Sequence, residues 1–427
     1  MINKTRLWSR IMDVAQIGKQ ASGGVSRTSF SKEDRDVKDL VSGFMKEAGL
    51  SVYEDAAGNL IGRKEGLNRM SPVVMTGSHL DTVYNGGNFD GVLGVLGGIE
   101  ALHTMNEQGV QTKYPIEVVA FTDEDSARFR FGLIGSRAMT GTLYPADLEH
   151  VDQDGISIAE AMRQAGFDPE GLGRAARTSD MVKAFVELHI EQGKVLEGRG
   201  LSVGIVDGIC SQMFDRFIIE GEAGHAGTVP MADRKDPLMA MSEIILAIEN
   251  AARKEGVLAT IGRIGAFPGG INIIPGRVEF SLDIRSLGDE GRDAFEKNVV
   301  ALAQQICNNR GVKLTVESKN KNSGAICDSG IKEAIEEACG KLSLEAFTLT
   351  SGAGHDAMRL ALICPVGMIF VRSRNGISHT PEEYSSPEDC CDGANVLYHT
   401  LLQMSESIQN GEVSYGSFYH LSHGKTD

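Results

Sequence analysis

Four times along this chain an apolar run about one β-strand long stops at a histidine or at clustered acids. These runs are Val73-Val-Met-Thr-Gly-Ser-His79, Ile116–Phe121 ahead of Thr122-Asp123-Glu124-Asp125, Phe185-Val-Glu-Leu-His189, and Val366–Val371 ahead of Ile377-Ser378-His379. Strands that deliver chemistry at the same kind of end constrain the fold, because α/β proteins gather ligands outside the carboxyl ends of parallel strands. Helical periodicity over 32–48 and 91–107 alternates with extended patterns over 73–76, 116–121, 184–188 and 366–371. That rhythm predicts an α/β domain with a mostly parallel sheet and helices on its faces.

Between these segments the texture changes. Residues 214–220 read as a strand, 236–254 as an amphipathic helix, 260–266 and 277–284 as strands, 290–308 as a helix and 312–317 as a strand. The order βαββαβ is the ferredoxin-like split motif. A unit over 212–325 is therefore expected as an insertion into a larger domain formed by 1–211 and 326–427. The 427-residue length agrees with two domains of ordinary size.

Hydrophobic residues at 41% and charged residues at 23% place the chain among ordinary soluble proteins. Its net charge of −16 would repel phosphate backbones and anionic lipid surfaces, so neither nucleic acid nor a membrane is expected as a partner. The N-terminal segment MINKTRLWSRIMDVAQIG is charged and amphipathic, unlike a signal peptide, and no apolar stretch reaches the length of a membrane span. The seven cysteines lack zinc-finger spacing and read as reduced thiols of a cytoplasmic protein, the pair Cys390-Cys391 as packing residues. From Asn410 onward the tail is polar and without helical period, and is expected to be loosely held.

Each candidate site residue has a plain alternative. His79 and Asp81 share one face of an extended chain, which places Asp81 to orient the imidazole, although the same residues would equally make a polar turn. Asp90, flanked by glycines in Gly86-Gly-Asn-Phe-Asp90-Gly, suits either an inward carboxylate or an Asx-turn. Asp123, Glu124 and Asp125 would repel one another at a buried edge unless a cation neutralised them, whereas an exposed acidic loop costs little. Three histidines and several acids at equivalent strand ends are harder to dismiss than any one of them. Together they suit two metal ions about 3.5–4 Å apart, with one acid left to carry a proton.

The motifs GSHLDTV, GGNFDG, TDEDSARF, ELHIEQG, GHAGTVP, GGINIIPGRVEFSLDIR, SGAGHDA and GISHTPEE, spread over nearly the whole chain, resemble those of the M20-type amidohydrolases of the hydantoinase/carbamoylase group. The resemblance implies a di-metal, aminopeptidase-like catalytic domain carrying an inserted dimerisation lid. It implies that Asp90 bridges two divalent ions (zinc, manganese, cobalt or nickel), with His79 and His189 completing one site and Asp125 and His379 the other. Glu124 would be the general acid/base and His225 would polarise the scissile carbonyl. Asn272 and Arg285 would hold a substrate carboxylate, and Gln192 would contact the substrate.

Within the group, the motifs are most like those of enzymes that hydrolyse N-carbamoyl-L-amino acids to amino acid, carbon dioxide and ammonia through a bridging hydroxide. Allantoate and β-ureidopropionate are the alternative substrates. The implied partners are a ureido substrate with a carboxylate and a second copy of the chain. An inactive, metal-containing scaffold homologue would be expected to lack the base, and Glu124 is present.

Taken by themselves, Arg285 suits a bidentate carboxylate or a surface salt bridge, Asn272 a turn, and His225 a loop. His355 lies in a glycine-rich loop that would border the pocket. The chain departs from the family pattern at Asp125, where a glutamate is usual, so that the carboxylate is shorter by one C–C bond, about 1.5 Å. A shift of register by one would make Asp123 the base and Glu124 the ligand, but Arg128-Phe129 anchors the motif against it.

Overall fold

The computed structural model describes residues 1–409 and 412–413. They divide into two compact units, one made of 1–207, 327–351 and the described residues from 355 onward, the other of 208–326 and 352–354.

The first unit is built on a mixed sheet whose strands run in the order Ser51–Glu54, Leu60–Lys64, Ile116–Phe121, Val73–His79, Val182–Ile190, Val366–Val371 and Val203–Ile209. The four central strands, from Ile116–Phe121 to Val366–Val371, are mutually parallel, and antiparallel strands flank them. Every residue of Val73–His79, Ile116–Phe121 and Val366–Val371 is buried. That is why these strands read as continuous apolar runs rather than alternating ones, since helices cover both faces of a parallel sheet.

The helix Val92–Glu107 is buried almost all round, as its nearly uninterrupted apolar sequence requires. Ser31 and Ser386 cap the helices Lys32–Glu47 and Pro387–Met404 by accepting N–H bonds from Asp34 and Asp389.

Register places the chemistry. His79 pairs with Phe121, so the acid loop that follows Phe121 begins beside His79. Thr76 pairs with Val186, each three residues before a histidine, and His189 pairs with Phe370. The four runs noted in the sequence thus stop level with one another.

In the second unit the strands Leu258–Thr260, Arg277–Ser286, Ser211–Glu220 and Lys313–Asn322 form an antiparallel sheet in that order, with Ile264–Phe267 also paired to Arg277–Ser286. With the helices Pro237–Glu255 and Asp289–Arg310 they make the βαββαβ order of a ferredoxin-like fold. Burial alternates along Ser211–Glu220 and Arg277–Ser286, one face packing on the helices. Phe217, Phe280, Ile244 and Phe295 fill the core, the first two stacked with centroids 4.9 Å apart.

The continuous strand expected over 260–266 is interrupted. Gly262 offers no side chain to pack, and the backbone departs from the sheet there before Arg263 and Ser281 tie it back by two hydrogen bonds.

No disulfide joins the cysteines; Cys390 is buried and Cys391 half-buried. Among the described residues no helix is long and apolar enough to cross a membrane. The expectation for the tail from Asn410 lies outside the described residues, save Glu412–Val413, which pair with Ser407–Gln409.

Candidate metal centre

Asp90 sits where the strand ends meet. Its Oδ1 lies 3.1 Å from Nε2 of His189 and 3.8 Å from Nε2 of His79, and its Oδ2 lies 3.0 Å from Nε2 of His379. Glu124 Oε2 is 3.7 Å from Nε2 of His79, and Asp125 Oδ1 is 3.7 Å from Nε2 of His379. Three groups, His79/Asp90/His189, His79/Glu124/Asp125 and Asp90/Asp125/His379, each offer donor atoms within 4.8 Å of one another.

The tautomers are set from behind. His79 Nδ1 faces the Asp81 carbonyl at 2.9 Å and His189 Nδ1 the Ile190 carbonyl at 2.9 Å. Each Nδ1 therefore donates to a backbone carbonyl, which leaves Nε2 as the ring nitrogen turned toward Asp90.

Asp81 acts differently from expectation. Its backbone carbonyl, rather than its carboxylate, meets His79, while the carboxylate stands 3.8 Å away and accepts the N–H groups of Glu124 and Asp125 at 3.3 and 3.2 Å. Asp81 thereby fixes both the imidazole and the backbone of the acid loop.

The electrostatics call for a cation. Burial raises the Asp125 carboxyl, with neighbouring Asp90 adding to it, to about 7, and burial likewise raises Glu124 well above the usual range. Burial also disfavours ionised Asp90, but the bonds from His189 and His379 outweigh it and hold the group well below its ordinary value. His379 is raised to about 9, first by its bond to Asp90. Asp125 Oδ2 is enclosed and has no hydrogen-bond partner. An orphaned carboxylate oxygen among crowded acids and two inward histidine Nε2 atoms fits a site for hard or borderline divalent ions.

Asp123 faces elsewhere: its carboxylate takes the hydroxyl of Ser29 in a buried pocket, and Arg128 bonds the Ser29 carbonyl. Gln192 is drawn into the centre, its amide nitrogen 3.1 Å from Asp90 Oδ2 and 3.3 Å from His379 Nε2. His355 is buried, 2.8 Å from Ser351 Oγ, and packs edge-on against the His189 ring with centroids 4.5 Å apart.

Two acids were not singled out from the sequence. Glu187, fully buried, accepts the Ser78 hydroxyl and the Ala357 N–H. It precedes His189 by two on the same strand face, so the period-2 argument applied to His79 would have found it. Glu383, inside the quoted GISHTPEE motif, carries no such local signal.

Three expected substrate residues belong to the second unit. His225 pairs with Ile273 on a two-stranded ribbon, so it neighbours Asn272, whose carbonyl accepts the Ala226 N–H. His225 Nδ1 accepts the Gly227 N–H at 3.1 Å, which leaves the proton on Nε2. Arg285 is engaged, bonding Asp283 and the Gly352 carbonyl. Two of its five N–H groups remain for another acceptor.

Gly91 makes the Asp90 turn possible. Its φ is +64°, and a Cβ there would lie 2.6 Å from the His79 ring. Gly91→Ala is expected to add ~1–3 kcal/mol of backbone strain and to push His79 off its place. Metal retained after dialysis should fall at least about tenfold; a native metal content in that variant would refute the close fit.

Residues 75–403 match the peptidase family M20/M25/M40. The chain belongs to this family. It is 56% identical over 407 residues to the N-carbamoyl-L-amino acid amidohydrolase of Geobacillus stearothermophilus, covering 95% of this chain and 100% of that one. To the N-carbamoyl-L-amino-acid amidohydrolase of Pseudomonas sp. (strain NS671) it is 44% identical, covering 94% and 98%. The crystal structure of a hydantoinase/carbamoylase family amidase from Burkholderia multivorans superposes with a TM-score of 0.88 at 33% identity, over 94% of this chain and 97% of that one. The M20 chain is accordingly a hydrolase of amide C–N bonds.

Proposed function

We propose that the chain hydrolyses N-carbamoyl-L-amino acids to the L-amino acid, carbon dioxide and ammonia, as a cytoplasmic homodimer with two divalent ions per subunit. The observation that carries the reading is Asp90, whose two oxygens face His189 and His379 at 3.1 and 3.0 Å, in a chain 56% identical to an N-carbamoyl-L-amino acid amidohydrolase. His79 and His189 would hold one ion, Asp125 and His379 the other, with Asp90 between them. Bound divalent ions polarise a carbonyl and make water more acidic.

Glu124 is assigned the proton. It is nearly enclosed, its side chain 11% exposed, and burial raises its carboxyl well above the ordinary range, which makes it a better proton acceptor than a solvated carboxylate. Water adds to the ureido carbon, Glu124 takes its proton and delivers it to the terminal nitrogen, and that C–N bond breaks to release ammonia. The carbamic acid that remains passes its proton to its own nitrogen and loses carbon dioxide to leave the amino acid.

His225, with its proton on Nε2, is assigned to polarising the ureido oxygen, and Asn272 and the spare N–H groups of Arg285 to the substrate carboxylate. Gln192 is assigned to substrate contact.

The test is a substrate panel read by ammonia release. Chelation should abolish turnover of N-carbamoyl-L-methionine, and zinc, manganese, cobalt or nickel should restore it to different extents. Rapid turnover of allantoate with none of N-carbamoyl-L-methionine would overturn the substrate assignment.

A further inference from the structure

Glu383 is 3% exposed and lies four residues beyond His379. Its Oε1 accepts the backbone N–H groups of Phe89 and Asp90 at 2.9 and 3.1 Å. Its Oε2 accepts the Ser378 hydroxyl at 2.6 Å and the His379 N–H at 3.4 Å. One carboxylate thus joins two loops that are nearly three hundred residues apart in sequence.

The fit leaves no slack. A Cβ on Gly87 would lie 2.1 Å from Glu383 Oε1, so only glycine lets the Asp90 loop close over the carboxylate. A second buried acid behind Asp90 is costly unless its oxygens are satisfied, and four donors satisfy these.

The two loops have unequal need of this clamp. His79 and His189 come off strand ends, with their Nδ1 atoms held by backbone carbonyls. His379 stands on a loop with φ +59°, and its side chain is 50% exposed.

Resting on the two-ion reading above, we infer that Glu383 is the positioning residue that sets the distance between Asp90 and His379 and so creates the second ion site. Substituting glutamine tests this with almost no change of shape. An amide has one accepting oxygen, so one pair of donors loses its acceptor. The Ser378 hydroxyl can turn and accept instead, but the backbone N–H groups of Phe89 and Asp90 cannot. The oxygen therefore stays with the Asp90 loop, and the amide nitrogen confronts the His379 N–H.

The experiment is a calorimetric titration of metal-free native protein, Glu383→Gln and Ser378→Ala with Mn²⁺, with a thermal melt of each. The native protein should take up two equivalents per chain. In Glu383→Gln the second equivalent should bind about 10–100-fold more weakly while the first stays within a few-fold, and in Ser378→Ala the second should weaken by a smaller factor. If glutamine proves too disruptive to fold, the Ser378→Ala titration decides alone.

Two native-strength equivalents in both variants would overturn the inference, and equal weakening of both equivalents would reduce Glu383 to a general structural role. A native protein that binds fewer than two equivalents would instead overturn the two-ion reading itself.

Discussion

Asp90→Asn should lower kcat by roughly 10³-fold or more and reduce bound metal below two equivalents, because a divalent ion contributes several kcal/mol of charge stabilisation and each 1.36 kcal/mol is tenfold in rate. Asparagine keeps the shape and the turn but loses the charge shared by His189 and His379, which approach the two oxygens from different sides. It presents a lone pair on one side only and an N–H₂ on the other. One ion would then meet a donor where it needs an acceptor, while Glu124 and Asp125 still crowd the same space. Metal content by atomic absorption, measured beside turnover, checks the result. A variant that retains two ions and works within tenfold of the native enzyme would show that Asp90 bridges nothing.

Glu124→Gln should behave oppositely on metal and alike on rate. Its carboxylate faces His79 Nε2 at 3.7 Å and is not among the residues assigned to hold either ion. Metal content and KM should stay near native, while kcat falls about 10²–10⁴-fold, the usual worth of a positioned general acid/base. The two variants therefore separate ion binding from proton transfer. Full metal occupancy with near-normal turnover in Glu124→Gln would move the proton to another group.

Much of the first unit was readable from local pattern. The runs ending at His79, Phe121 and His189 and the run Val366–Val371 are apolar on both faces because both faces are buried, and burial leaves its mark residue by residue. The alternation along Ser211–Glu220 and Arg277–Ser286 marks a sheet with one packed face. Where local pattern was weak the reading slipped, as at Gly262, whose lack of a side chain breaks a strand without altering the hydrophobic period on either side.

The donor set was legible for a chemical reason, since histidines and acids are conspicuous at the ends of apolar strands. How those donors are supported was much less so. Sequence spacing put Asp81 behind His79, yet its carbonyl takes the imidazole and its carboxylate the acid loop, a division that depends on how the turn after His79 lies against residues 124–125. Asp123 and Glu124 are neighbours of the same type, and only the packing of Ser29 and Arg128 around the first turns it away from the centre.

The opening feature, apolar strands that stop at histidines and acids, determined by itself that the fold is α/β and that several metal-type donors converge at one sheet edge. Periodicity and side-chain chemistry are local, and both survive in a one-dimensional string. Tertiary structure alone decided the register that levels His79 with Phe121, the approach of His189 and His379 to opposite oxygens of Asp90, and the closure of Gly87 over Glu383. Those features are distances between residues far apart in the chain, set by the packing of the whole unit, and no short stretch of sequence contains them.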